Sequence, residues 1–375
     1  MFNIRLIRTL QYKHCLLPLT KSHSHFYSFM SHSSPSPKQS ITGHWSPIEA
    51  SGEIPKGRSS NISGVINNKF YIFAGENEPR IPVDGHIYEL NINSKEWTKI
   101  PEREDRWPLA RVGHSGIVHN NKLYLYGGRI GADMGDQTMG DFWCFDPNAS
   151  AKENQWTPLP ITGVPPTPLS YHSMAAGENE IYIFGGCTVS HGRTNDVWSF
   201  SLTKQEWAQE TFTGEHSKKA HPTARGGASA VYASDGLHVL FGYNGKEELN
   251  DHWLWDHERR GWDLIPNTGD CPDARSVTEA VYLPKLGKKG SLFVFGGEFT
   301  PSDKGHEGAG SYHNDTWIFD IDSRKWTKMA DDEKSPSARG WFTSSAMPDG
   351  KSVLVFGGFD GKERVNDAHV WSPDQ

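Results

Sequence analysis

Six short apolar runs, each closed by glycine, recur along the chain at a period a little over fifty residues. They are Tyr71-Ile72-Phe73-Ala74-Gly75, Tyr124-Leu125-Tyr126-Gly127-Gly128, Tyr182-Ile183-Phe184-Gly185-Gly186, Val239-Leu240-Phe241-Gly242-Tyr243, Phe293-Val294-Phe295-Gly296-Gly297 and Leu354-Val355-Phe356-Gly357-Gly358. Aromatic and β-branched runs of this length, bounded by turn residues, predict short strands. Around each run the unit reads strand, turn, glycine-terminated strand, loop, strand, turn, and a last strand holding a tryptophan. Glycine at the strand end permits backbone angles and close approaches that a side chain would block. The pairs Asn195-Asp196, Asn250-Asp251, Asn314-Asp315 and Asn366-Asp367 precede the third strand, where their side chains are expected to cap a turn.

A self-similar unit of this length built from short strands predicts an all-β, six-bladed kelch-type β-propeller. The tryptophans show how the ring closes. Trp45 stands 13 residues before Arg58, the spacing that also separates Trp156 from Leu169, Trp262 from Arg275 and Trp326 from Arg339. The sixth unit runs to Trp371-Ser372-Pro373 without a closing tryptophan of its own. The segment His44-Trp45-Ser46 is therefore expected to supply the outer strand of the last blade and remove an open sheet edge. A repeat array forms one closed unit whatever its length, so residues 41–375 are read as a single propeller domain.

Composition narrows the partners. Fourteen tryptophans in 375 residues supply material for packing between sheets, and 38 glycines with 23 prolines suit many turns. A formal charge of −7 has the wrong sign for nucleic acid, and no run approaches the roughly 20 apolar residues of a membrane-spanning helix. Neither nucleic acid nor a bilayer is expected as a partner. Cys15, Cys144, Cys187 and Cys271 lie far apart with no CxxC pair, which suggests a reducing compartment rather than a zinc site or a disulfide framework. Residues 1–40 are read as a disordered basic leader: Arg5, Arg8, Lys13, Lys21 and Lys38 occur with no acid before Glu49. A cytoplasmic location is expected, with a mitochondrial one as the alternative, since a basic, serine-rich, acid-free start is the composition of a transit peptide.

Two features remain for chemistry. Arg58, Arg111, Arg225, Arg275 and Arg339 recur where the innermost strand of a unit begins, with Leu169 in that place in the third unit. Gathered on one face, five guanidiniums would make an anion-attracting rim around the central channel, suited to sulfate, phosphate or carboxylate, unless ion pairs with acids consume them. The second feature is a long loop. From the second glycine to the aromatic of the next strand takes 12 residues in the third unit, 11 in the sixth and 20 in the fifth. The fifth-unit insertion carries Glu298, Asp303 and His306, two carboxylates and an imidazole that could face one cation.

The segments Ala274-Arg275-Ser276-Val277, Gly296-Gly297-Glu298 with Pro301 and Gly305-His306, Arg339-Gly340-Trp341, Ala224-Arg225-Gly226-Gly227 and Phe241-Gly242-Tyr243 carry a resemblance. Over about residues 41–375 the chain resembles the plant nitrile-specifier, epithiospecifier and thiocyanate-forming kelch proteins and their less specialised kelch relatives. The resemblance implies a lyase-type activity that directs glucosinolate aglucones, the thiohydroximate-O-sulfates released by myrosinase, toward nitriles. It further implies an iron(II) cofactor held by Glu298, Asp303 and His306, with Arg111 and Trp341 about the substrate sulfate and the other recurring arginines near it. The family pattern places its aspartate four residues after the glutamate; here Ser302 stands there and Asp303 follows. The rival expectation is a non-enzymatic interaction module that binds an acidic protein partner through the arginine-rich face. A copper-radical oxidase would also use kelch blades, but no residue pattern here marks its site.

Overall fold

The computed structural model describes residues 41–131, 137–149, 155–190, 192–211, 220–300 and 310–374. Every regular element among them is a strand. Blade one pairs Ile62–Ile66, Lys69–Phe73, Ile87–Asn91 and Glu96–Ile100 in antiparallel order from the inside outward, and Ser51–Gly52 adds a short parallel pairing to its outer edge. Five further four-stranded sheets repeat this order, with inner strands at Ser115–His119, Ser173–Ala176, Ser229–Ala233, Ala280–Leu283 and Thr343–Ala346. Each inner strand touches the next, and that of blade six touches that of blade one, so the six close a ring.

Closure follows the expectation from Trp45. Gly43–Pro47 pairs with Ala368–Pro373 as the outer strand of blade six, with Trp45 opposite Trp371. The reason lies in the seams between blades. The second strand of each sheet is sandwiched between neighbouring blades, which is why it reads as an unbroken apolar run rather than an alternating one. Its last aromatic meets the outer-strand tryptophan of the following blade: Phe73 with Trp156 at 5.2 Å, Tyr126 with Trp207 at 5.4 Å, Phe184 with Trp262 at 5.8 Å, Phe295 with Trp45 at 5.0 Å and Phe356 with Trp97 at 5.4 Å between ring centroids. Tilted and edge-on pairs of this kind add about 0.5–1.5 kcal/mol each beyond the area they bury. The N-terminal strand thus completes a seam as well as a sheet.

Blade four corrects the sequence register. Phe241 there occupies the place of the first glycine, with its N–H donating to Asp251 O just as Gly127 N–H donates to Asp141 O and Gly296 N–H to Asp315 O. It adopts φ +61°, and it makes the seam contact with Trp326 at 6.3 Å. Gly242 is therefore the second glycine of the pair, and Tyr243 follows the pair rather than belonging to it.

Candidate functional site

The inner strands are entered through a collar. Ser60, Gly113, Tyr171, Gly227, Val277 and Trp341, one from each blade, all adopt positive φ between 50° and 63°. Their backbones are linked across the blade boundaries: Ser60 N–H donates to Trp341 O, Tyr171 to Gly113, Gly227 to Tyr171, Val277 to Gly227 and Trp341 to Val277. Only glycine takes this conformation without cost, so its retention by a valine, a tyrosine and a tryptophan marks a position over-determined by the ring. The twist at each collar residue aims the chain into the channel and sets the preceding residue against the one that follows the glycine pair.

The five recurring arginines lie behind this collar, not on it. Arg58, Arg111, Arg225, Arg275 and Arg339 are all buried, none more than 1% exposed. Each forms a bidentate pair within its own blade, to Asp84, Asp141, Asp251, Asp315 and Asp367 respectively. Each also donates Nη1–H to the carbonyl at the end of the glycine-terminated strand, namely Ala74, Gly127, Phe241, Gly296 or Gly357, and Nε–H to the carbonyl two residues upstream. Arg225 and Arg339 thereby use all five N–H donors, adding Thr223 Oγ1 and Ser337 Oγ. The expected anion-binding rim of these five residues is corrected accordingly: they pin the loop ahead of the third strand to the start of the first. Burial alone would raise the carboxyls of Asp141 and Asp315, yet hydrogen bonds from Arg111 and Arg275 hold both below the ordinary carboxylate value. The aspartates of the Asn-Asp pairs are structural as expected, in a different capacity. Where Leu169 replaces arginine, Asp196 instead accepts from Thr194 Oγ1 and Gln209 Nε2.

The residue after each glycine pair forms a second tier around the collar. These are Glu76, Arg129, Cys187, Tyr243, Glu298 and Phe359, bridged by backbone hydrogen bonds to Ser59, Val112, Ser170, Gly226, Ser276 and Gly340. A third tier adds Arg193, Glu248, Tyr312 and Arg364. Guanidinium and aromatic groups alternate here. Arg129 donates Nη2–H to Tyr171 Oη at 2.8 Å, Arg193 lies 4.8 Å over Tyr243, and Arg364 lies 5.2 Å over Phe359 while pairing with Glu76 at 2.7 Å. Arg193 has no carboxylate partner among the described residues, and its Nε–H is buried without an acceptor. Trp341 stands edge-on to Tyr171 at 5.7 Å, so the structure places that predicted residue at the mouth.

Glu298 is 8% exposed and sits at the stem of the long insertion, paired through its backbone with Ser276 on one side and facing Tyr312 and Gly310 on the other. Burial first, and then the Glu298 carboxylate, push the Tyr312 phenol up. Burial also raises Glu248, which receives a long hydrogen bond of 3.5 Å from Ser276 Oγ. Asp303 and His306 lie outside the described residues, and no group of three metal-ligating side chains occurs among the described ones. Cys144, Cys187 and Cys271 are free thiols.

Six four-stranded blades, each with a second strand closed by glycine and a tryptophan seam and five of them with a buried arginine–aspartate clamp, define a kelch β-propeller. The chain belongs to the KLHDC2/KLHL20/DRC7 Kelch-repeats domain family, whose pattern it matches over residues 62–297. Among its relatives, an N-(sulfonatooxy)prop-2-enimidothioate sulfolyase of Thlaspi arvense is 27% identical over 347 residues, spanning 85% of this chain and 94% of that protein. A leucine-zipper-like transcriptional regulator 1 homolog of Drosophila melanogaster is 24% identical over 86% of this chain, which corresponds to 32% of that longer protein. The solved structure of YjhT superposes with a TM-score of 0.63 at 18% identity, covering 84% of this chain and 95% of that one, and supports the fold alone.

Proposed function

We propose that the protein is a specifier-type kelch protein acting on a small sulfated thiohydroximate at the mouth of its channel. The observation that carries this reading is Arg193, a guanidinium at the mouth stacked on Tyr243 and not consumed by any carboxylate among the described residues. A planar fork of donors matches a sulfate, and the neighbouring aromatic rings offer an apolar wall for the substrate's side chain. The sulfolyase relative, by its name, acts on a substrate that combines a sulfonatooxy nitrogen with a thioimidate sulfur. A buried carboxylate at the insertion stem fits the donor chemistry of an iron(II) site, which Glu298 with Asp303 and His306 would form. Such an ion supplies Lewis-acid polarisation at the thiolate sulfur.

The residues of the chain orient and stabilise. Arg193 holds the sulfate while negative charge gathers on it as the N–O bond breaks with its electron pair. The C–S bond gives its pair to carbon, neutral sulfur departs, and the carbon–nitrogen triple bond of the nitrile forms. Both negative charges of the dianion leave on sulfate, so no outside oxidant or reductant is required. Tyr171 and Trp341, fixed in the collar by their backbone links, keep the substrate's side chain against the wall and limit water at the reacting atoms.

The test adds purified protein and iron(II) to myrosinase and a glucosinolate. The nitrile fraction is expected to rise over the spontaneous isothiocyanate, and to fall back in Glu298→Ala and His306→Ala. An unchanged product ratio with the wild-type protein rejects the reading and leaves an interaction module.

A further inference from the structure

The central channel, whose lining includes the collar residues Tyr171 and Trp341, offers a second site built from other residues. Its cavity, of about 420 Å³, is walled by the inner strands of all six blades, and the wall is mainly small side chains and hydroxyls. Among the lining residues there is no lysine and no arginine. The two histidines of the wall do not supply charge: burial pushes His172 down to about 3, and burial together with Arg111 holds His114 well below the ordinary imidazole value. Glu279 is the one carboxylate in the wall.

Half of that carboxylate has a structural task. The inner strand of blade six is a sheet edge, and Glu279 Oε2 accepts its Ser344 N–H, with Ser344 Oγ donating at 3.1 Å and Thr343 Oγ1 at 3.5 Å. The hydroxyls continue away from it: Thr343 Oγ1 is 2.5 Å from Ser63 Oγ, which is 3.2 Å from Ser345 Oγ. Capping one N–H needs an acceptor, and a neutral amide would do. An ionised carboxylate in a cavity lined by neutral oxygens, with no internal counter-charge, is a costly choice for that task alone. Burial pushes its carboxyl up to about 7 against the hydrogen bonds from Ser344 and Thr343, the direction expected of an anion without a counter-charge.

We propose that the channel binds a monovalent cation, an alkali ion or the ammonium group of a small primary amine, between the Glu279 carboxylate and the Ser63, Thr343 and Ser345 hydroxyls. One carboxylate neutralises one charge, and the ligand set contains only hard oxygen. Calcium and magnesium sites gather several carboxylates or carbonyls around the ion, and zinc or copper favours nitrogen and sulfur, so the donor set selects against both classes. The cavity has room for the short carbon chain of an amine as well as for a partly hydrated ion.

Two probes separate the sources. Crystals soaked in rubidium chloride are expected to show an anomalous peak within coordination distance of Glu279, absent from Glu279→Gln crystals; the variant keeps an amide oxygen for Ser344 and so preserves the cap. In solution at pH 8 and fixed ionic strength, rubidium or methylammonium chloride replacing tetramethylammonium chloride raises the melting temperature of the wild type and not of Glu279→Gln. A response to methylammonium without rubidium density assigns the amine; rubidium density assigns the ion. At pH 6 the proton competes, and the apparent affinity falls about tenfold for a carboxyl near 7. No rubidium peak together with equal melting responses of wild type and Glu279→Gln at pH 8 overturns the proposal.

Discussion

Replacing Arg225 by leucine isolates what the recurring arginines do. Arg225 is fully buried and spends five N–H donors on Thr223 O, Thr223 Oγ1, Phe241 O and both oxygens of Asp251. Leucine at this position leaves two carbonyls and a carboxylate without their donor. Removing one partner of a buried ion pair costs about 3–5 kcal/mol, because the surviving charge stays desolvated. Asp251 is 26% exposed at its side chain and keeps the Trp253 Nε1–H bond at 2.6 Å, which places the expected loss near the lower end, about 3 kcal/mol. Blade three supplies the internal control, since Leu169 is tolerated there with Asp196 satisfied by Thr194 and Gln209. Adding Asp251→Asn to Arg225→Leu is therefore expected to recover about half the loss, as the charge is removed with its partner. Urea unfolding of wild type, both single variants and the double variant measures this as a cycle. A loss below about 1 kcal/mol for Arg225→Leu, or no recovery in the double variant, would refute the structural role and return the arginines to the open rim.

Trp45→Ala strips the closing seam, where the indole packs 5.0 Å from Phe295 and donates Nε1–H to Thr316 Oγ1, and is expected to cost about 3–5 kcal/mol by thermal or urea unfolding. Glu279→Gln separates from wild type with pH: the wild-type carboxyl is raised in the fold, so its ionisation destabilises the protein as pH climbs from its ordinary 4.5 through about 7. In tetramethylammonium buffer the variant is expected to gain up to about 3 kcal/mol on wild type between pH 5 and pH 8, with little difference at pH 5; a constant difference across that range contradicts the burial argument.

The fold was legible because its determinants repeat. Glycine pairs, the aromatic before them and the outer tryptophan recur in register, and the 13-residue spacing from Trp45 to Arg58 foretold the closing strand. The same recurrence misled at the site. Arg58, Arg111, Arg225, Arg275 and Arg339 repeat because five of the six blades use the same clamp, and the Asp251, Asp315 and Asp367 members of three Asn-Asp pairs were its visible but unrecognised acids. The informative positions are those where six copies disagree. Glu76, Arg129, Cys187, Tyr243, Glu298 and Phe359 share one place and its backbone bridge but no common side chain, so the repeat does not dictate the chemistry there. Arg193 was harder to find, because a bridge to Cys187 brings it to the mouth and no motif marks it. The Phe241 shift in blade four was hidden for a related reason: a phenylalanine at φ +61° is held by its seam contact and its ring contact with the Arg275 guanidinium, not by local preference.

The most direct test of the account compares product ratios for wild type and Arg193→Met with myrosinase, a glucosinolate and iron(II). Arg193 has no ion pair among the described residues and stacks on Tyr243, so the variant is expected to unfold within about 1 kcal/mol of wild type while its nitrile fraction falls to the spontaneous level. A nitrile fraction equal to wild type in a folded Arg193→Met protein would contradict the assignment of the mouth as the sulfate site.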